Sequence, residues 1–527
     1  MAPRSPLSLR LSCLLRAFKL PSLLRHGGAI HAKVVVHGFL PDATLETDLL
    51  LMYSRCASSD LCHARQVFDQ MRQRTMHAWN ILFSSYAQSS LYHLVLGLLR
   101  PFLDSGFRPD HFTVPALCKA CGGGGGVGLR EIGMGLHCWA IKIGVLDVVF
   151  VSSSVLDMYA KFGRLDDACK VFELMPERDV VAWNAMITGF VRAGQFVESL
   201  DLFRRLQLER MGMDWRVIPS VLNACGSTGE LIRGKEVHGR VIRCLMFDSD
   251  VVIGNALIDM YGKCGCLNDS QRVFACMGLK NEVTWSSMIA CLGVHGKGEE
   301  SLKLYEEMIK EGFKPNSITF TSVLSSCSHS RLLVDGRRVF ESIREPSVEH
   351  FACMVDLFGR SGDIKQASRL IDKMPMKPSA SVWGALLAGC VLHKNVVIGE
   401  IAAHKLSELE PSNSSNYVAL CGIYDAVGMS DNVSKIRARM RELGISKTPG
   451  CSWIIINGKS HTFYQGNISH PFAKRVCEVL LHLHLWIGKD EDVYHSINHE
   501  TNTQTSSESH YYLLDSGEKL TKLTSTY

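Results

Sequence analysis

Nineteen cysteines and 21 histidines give this 527-residue sequence many potential nucleophiles and metal ligands. Their spacing assembles no reactive centre. Cys118 and Cys121 form a C-x-x-C pair, but no second pair completes the four ligands that a structural zinc requires. Cys121, Cys225 and Cys327 instead recur at a fixed interval, which reads as a small core residue. Gly122–Gly126 is not followed by the Gly-Lys-Ser/Thr of a phosphate loop, and Gly458-Lys459-Ser460 lacks the glycine five places upstream. The first run reads as a turn between helices. His31, His137 and His238 are too far apart in sequence for a single metal site and read as structural. No metal, cofactor or catalytic residue is expected.

Composition narrows the class further. Hydrophobic residues make up 46% and charged residues 21%, which excludes wholesale disorder. No apolar run reaches the roughly 18 residues of a membrane span, so no membrane partner is expected. An odd cysteine count without a secretory signal favours a reducing compartment. The net charge is +5, but residues 1–41 hold Arg4, Arg10, Arg16, Lys19, Arg25 and Lys33 and no acid. The remainder, with 51 basic and 52 acidic residues, stands at −1. Bulk charge therefore does not point to a nucleic acid; only local arrangement can. The acid-free start has the composition of an organellar transit peptide over about residues 1–30. Its leucines and arginines favour the mitochondrion over the chloroplast.

The elements that position these residues are repeats. Trp79, Trp183 and Trp285 stand 104 and 102 residues apart in similar windows. Met52-Tyr53, Met158-Tyr159 and Met260-Tyr261 form a second column, and Val67-Phe68, Val171-Phe172 and Val273-Phe274 a third. Each long period divides into three units of helix-pair length: 43–75, 76–110 and 111–148, then 149–179, 180–214 and 215–250, then 251–281, 282–316 and 317–347. An earlier unit covers about 8–42 and a later one 348–379. In 251–281, Leu257, Ile258 and Tyr261, then Val273 and Phe274, follow helical spacing, with Gly265 as the turn. The expected fold is all-α: an α-solenoid of stacked antiparallel helix hairpins forming a right-handed superhelix.

NALIDMYGKCG (255–265), VFELMPERDVVAWNAMITGF (171–190) and VLNACGSTGELIRGKEVH (221–238) resemble the plant pentatricopeptide repeat family, in the subclass that alternates standard, long and short repeats. The resemblance implies about eleven repeats over 8–379. It also implies single-stranded RNA as partner, read by the fifth and last residues of a repeat. Asn80 with Asp110, and Asn184 with Asp214, then match uracil. Ser153 with Asp179 matches guanine, Asn255 with Asn281 a pyrimidine, cytosine first, and Ser286 with Asn316 adenine. Thr47 with Thr75 has no clear reading. Pro115 and Pro219 stand at the fifth position of long repeats and imply spacers. Taken singly, each Asn or Asp could equally be a helix cap or turn residue. In the family the second residue packs on base faces, which here are Phe150, Val181, Val252 and Val283, with His77 in one repeat; a core position is the alternative. The thirteenth residue is Arg55, Lys161, Arg192, Lys263 or Arg360 in five repeats. One cation per helix at a shared register is a stripe suited to tracking phosphates.

ASVWGALLAGC (380–390) and SELEPSNSSNYVAL (407–420) resemble the family's E-type extension, expected over 380–447. KTPGCSWIIINGKSHTF (447–463) resembles part of the following segment, expected over 448–475, with a polar tail over 476–527. The zinc ligands of a nucleobase deaminase, H-x-E and P-C-x-x-C, do not follow residue 471. The resemblance implies selection of a site for cytidine-to-uridine editing, with a DYW-type deaminase or other editing cofactor recruited in trans through 380–475. It equally allows a factor for RNA stability, splicing or translation.

Overall fold

The computed structural model describes residues 6–18, 20–40, 42–56, 61–124, 126–209, 214–244, 250–447, 451–456, 459–464, 473–487 and 524–525. The first five residues of the expected transit peptide and tail residues 488–523 lie outside these. So do residues 465–472 of the expected segment 448–475. The chain divides into two compact units, Met1–Met260 and Tyr261–Tyr527.

In the first unit, helices Pro6–Ala17 and Leu24–Val36 precede a series of hairpins. These are Ala43–Cys56 with Cys62–Gln70, Met76–Gln88 with Tyr92–Asp104, and Thr113–Gly123 with Val127–Lys142. Val149–Lys161 with Leu165–Leu174, Val180–Arg192 with Phe196–Leu208, and Ile218–Thr228 with Leu231–Arg243 follow. In the second unit the hairpins are Glu282–Val294 with Gly298–Lys310, Ser317–His329 with Leu333–Glu341, and Val348–Arg360 with Ile364–Asp372. Ala380–Leu392 with Val396–Leu409, and Ser414–Ala426 with Ser430–Glu442, continue the same pattern past residue 379. Within each unit the first helix of a hairpin packs on the first helix of the next. This is how hairpins that cannot cover both faces alone share a continuous core.

Where it lies among the described residues, the sharp turn inside a hairpin falls at the fifteenth residue of the repeat. Gly163, Gly194 and Gly229 have φ of 74°, 74° and 70°, and Gly265, Gly296 and Gly362 of 75°, 69° and 89°. Only glycine adopts this left-handed backbone without steric cost. Ser90, Arg331 and Lys394 occupy the same position with φ of 59°, 56° and 53°.

The tryptophan column marks the seams between repeats. Trp79, Trp183 and Trp285 are buried. Each meets, edge to face, a phenylalanine from the second helix of the preceding repeat. The centroid distances are 4.7 Å to Phe68, 4.8 Å to Phe172 and 5.2 Å to Phe274. A cation covers the other side of each phenylalanine: Arg74 at 5.0 Å, Arg178 at 4.9 Å and Lys280 at 5.1 Å. Burying an indole contributes roughly 4–6 kcal/mol of gross transfer free energy, so this stack fixes the pitch of the array. His31 and His137 lie within 3.0 Å of the Tyr53 and Tyr159 hydroxyls, and burial pushes both imidazoles below their usual range. They serve packing. Cys118 and Cys121 are wholly buried, the first thiol pushed far up and the second to about 11 by burial. They are core residues, not exposed nucleophiles.

The C-terminal region departs from the helical expectation in one place. Cys451–Ile456 and Lys459–Tyr464 pair as an antiparallel hairpin, Cys451 opposite Tyr464 and Ile456 opposite Lys459. Both are rich in β-branched and aromatic residues. Thr524–Ser525 pairs along the other edge of the first strand.

Among the described glycines of the second unit, the tightest approach to another backbone is between Gly359 and Gly389. A Cβ on Gly389 would lie 2.7 Å from the Cα of Gly359, backbone against backbone. Alanine favours helix by about 1 kcal/mol over glycine, but overpacking costs about 1–3 kcal/mol, and backbone cannot rotate away. Gly389→Ala is therefore expected to lower the melting temperature by several degrees, measured by circular dichroism. The control is Gly384→Ala on the same helix, where an added Cβ meets nothing within 4 Å.

Candidate nucleic-acid interface

Several first helices start with a side-chain cap supplied by the last residue of the preceding repeat, among them Thr75, Asp179, Asn281 and Asn316; Val148, before Val149–Lys161, supplies none. The Asp179 carboxylate accepts the Ala182 amide at 2.8 Å and so closes the start of Val180–Arg192. Asn281 and Asn316 form reciprocal capping boxes with Thr284 and Thr319. The same caps reach the fifth residue of their own repeat. Ser153 donates to Asp179 at 2.7 Å. Asn184 Nδ2 donates to Asp214 at 2.7 Å. Asn80 Nδ2 donates to Asp110 at 3.3 and 3.1 Å. Ser286 is linked to Asn316 through the Thr319 hydroxyl, at 2.8 and 3.1 Å. Capping and pairing are therefore performed by one side chain.

Access differs along this ladder. Ser153 and Ser286 are 1% and 2% exposed and lie at its floor. Asp179, Asp214 and Asn255 are half-buried, as are Asn184 and Asn281, and Asn316 is exposed. The second residues stand out from the surface: Phe150 is 61% exposed, Val181 55%, Val252 56% and Val283 48%. They are not core, which removes the alternative left open by their sequence positions. Phe112 and Ile318 hold the same position in long repeats, 58% and 64% exposed. Sequence reasoning missed these two by considering only standard and short repeats.

Two pockets gather the sequence-singled residues. A pocket of about 210 Å3 is lined by Asn184, Asp214, Val181, Lys161 and Arg192, together with Arg216. A second, of about 540 Å3, is lined by Thr47, Thr75, His77, Arg55 and Arg16. Each combines a fifth residue, a last residue, a second residue and the thirteenth-position cation. The cations are not equivalent. Lys161 is held by Asp157 at 2.6 Å and Arg360 by Asp356 at 2.8 Å, each one turn earlier. Arg192 and Lys263 are exposed, and Arg55 donates to the Arg16 carbonyl at 3.4 Å. The stripe thus has a line of carboxylates beside part of it.

The Asp110 carboxylate shows the electrostatics. Burial raises it, but donors from Thr113 backbone and hydroxyl, the Phe112 amide and Asn80 outweigh burial and hold it below the usual carboxylate range.

A hairpin array whose seams present a recurring cap, a recurring apolar tip and a recurring cation defines a helical-repeat scaffold. The chain belongs to the pentatricopeptide repeat family. Family models for the PPR repeat match residues 150–180, 181–211, 255–281 and 349–378, a PPR repeat family model matches 280–329, and the E motif matches 393–455. The chain is 37% identical over 462 residues to the Arabidopsis thaliana pentatricopeptide repeat-containing protein At2g03880, mitochondrial, covering 87% of this chain and 72% of that one. It is 36% identical to the A. thaliana At3g57430 protein, chloroplastic, covering 86% of this chain and 52% of the relative. It is also 36% identical to the A. thaliana CRR2 protein, chloroplastic, covering 86% and 70%. The chain thus spans about half to three quarters of the length of these relatives. Its fold matches the crystal structure of the pentatricopeptide repeat protein PPR10 in complex with an 18-nt psaJ RNA element, with a TM-score of 0.57 and 15% identity, over 84% of this chain and 70% of that one.

Because Asp110 is held low, its stabilising bonds are complete above about pH 4, the unfolded carboxylate value. They are lost as pH falls through the still lower folded value. Asp110→Ala should lower stability at pH 7 by about 0.5–2 kcal/mol, the usual range for a lost cap. The deficit should shrink toward pH 2. Denaturant titrations across pH test both parts.

Proposed function

We propose that this chain is a sequence-specific single-stranded RNA-binding factor of a plant organelle. In this reading it selects a cytidine for C-to-U editing and recruits a DYW-type deaminase or other editing cofactor in trans through residues 380–475. The observation that carries the RNA reading is the pocket at repeat 180–214. There, a hydrogen-bonding pair (Asn184 and Asp214), an apolar tip (Val181) and two cations (Lys161 and Arg192) line one surface. Those are the three chemistries a single nucleotide offers: base edge, base face and phosphate. The E motif at 393–455 favours editing over the other RNA roles. The labels of the relatives support an organelle, and the basic first 41 residues favour the mitochondrion. The proposed boundaries are a transit peptide over about 1–30, repeats over 8–379, an E-type extension over 380–447 and a partial following segment to 475.

On this reading, Asn80–Asp110 faces uracil, Ser153–Asp179 guanine, Asn184–Asp214 uracil, Asn255–Asn281 cytosine and Ser286–Asn316 adenine. With the long repeats as spacers the site is 5′-U-N-G-U-N-C-A. The half-buried aspartates make contact, and Ser153 and Ser286 orient them from below. Gel-shift titration against this RNA should show about five- to 150-fold weaker binding for each single change at the guanine or the second uracil, one base mismatch being worth about 1–3 kcal/mol. Equal affinity for all variants overturns the reading. Loss of editing at one or a few cytidines in a null plant supports the editing role; altered transcript ends or retained introns count against it.

A further inference from the structure

The two uracil-type repeats share the same pair but not the same surroundings. Three residues after the last residue of each repeat lies a side chain at the start of the next first helix. After Asp110 it is Thr113; after Asp214 it is Val217. Both are wholly buried. Thr113 Oγ1 lies 2.6 Å from Asn80 Oδ1 and 2.8 Å from Asp110 Oδ1, and donates its proton into this pair. Asn80 is then engaged inside the protein at both ends of its amide: its nitrogen donates to Asp110, and its carbonyl oxygen shares the single Thr113 hydroxyl proton with Asp110. Val217 has no hydroxyl. The carbonyl oxygen of Asn184 is buried and accepts no hydrogen bond among the described residues, while its nitrogen is held by Asp214.

A buried acceptor without a donor carries an unrecovered desolvation cost, and a ligand that brings a donor recovers it. Uracil N3–H is such a donor; cytosine presents an acceptor at that atom. At Asn80 the same donor must compete with Thr113. We infer that the third residue of the following repeat sets how strongly a uracil-type pair discriminates, with Thr113 restraining Asn80 and Val217 leaving Asn184 free to do so. Thr113 is a positioning residue, since it is buried against the pair; Val217 is buried at the equivalent position and brings no hydroxyl to it. The same position is occupied by Thr319 beneath Ser286 and Asn316, so the unit at these seams is three residues, not two.

The inference rests on the RNA reading above, and the experiment separates the two. Binding of the full chain is measured to four RNAs built on 5′-U-N-G-U-N-C-A, with uracil or cytosine opposite repeat 76–110 and opposite repeat 180–214. The readout is the uracil-to-cytosine affinity ratio at each base, which a uniform loss of stability or affinity does not move. The unaltered chain should show a ratio larger at repeat 180–214 than at 76–110 by about two- to tenfold, the worth of one net hydrogen bond. Thr113→Val should raise the ratio at the first base alone. Val217→Thr should lower it at the second alone, and Thr113→Ser, which keeps the hydroxyl, should leave the first unchanged. Equal ratios in the unaltered chain, or a ratio that falls in Thr113→Val, overturn the inference while leaving base reading standing. Ratios of one at both bases, unmoved by Asn184→Ala, overturn base reading and the inference with it.

Discussion

The arrangement depends on how closely successive first helices approach. Where they touch, one side is a glycine and the other a small residue or a backbone: Gly189 against Ala160, Gly293 against Ser326, Gly359 against Gly389. A larger residue would push the helices apart and shear the rows they carry. With the helices in contact, the cap of one helix lies within hydrogen-bond reach of the fifth residue of the helix before it. The 2.7 Å bond between Ser153 and Asp179 exists because of that spacing, not because either residue is unusual. The tryptophan–phenylalanine–cation stacks on the other side of the seam hold the same distance from behind. Core packing and ligand-facing geometry are thus two readings of one helix-to-helix contact.

This explains why capping and recognition are not rival descriptions of the last residues. A lone Asp before a helix is most simply a cap, and Asp179 is one. The cap has two carboxylate oxygens, so satisfying the helix leaves capacity for the fifth residue and for a ligand. At Asp110, Thr113, Phe112, and Asn80 all donate to it. A carboxylate held this way stays ionised at neutral pH.

Much of the array was legible in the sequence because the same residue types return at a fixed interval. A helix begins at or within three residues of each proposed repeat start from 43 to 380, and the fifteenth-residue turn was visible at Gly265. The chemistry at the seams was harder to read, since it depends on residues from two repeats. Asp157 and Asp356 lie four residues before Lys161 and Arg360, a spacing that places them on one helical face; the recurring cation column does not by itself display it, because an acid does not stand at that spacing before all five cations. The exposure of Phe150, Val181, Val252 and Val283 could not be decided from pattern, because an apolar residue near a helix start suits a core or a surface equally. The strands at 451–456 and 459–464 are too short for periodicity to separate them from helix. The role of Thr113 was invisible for another reason: it acts on a pair that lies in the repeat before its own.

The carboxylates beside the cations bear on how a near-neutral chain could hold a polyanion. An exposed pair four residues apart on a helix is worth about 0.3–0.5 kcal/mol; the half-buried Lys161–Asp157 pair holds more firmly, and a phosphate approaching Lys161 competes with Asp157 for it. Until then the pair lowers the local field and weakens attraction to any passing polyanion. Arg192 lies across the same pocket and is not held in this way among the described residues. A nucleotide that fills the pocket meets both cations together, whereas one that only approaches along the surface meets a largely neutralised stripe. Electrostatics of this kind contribute more when the base edge and face are already seated, which favours the fitting sequence over the merely charged one.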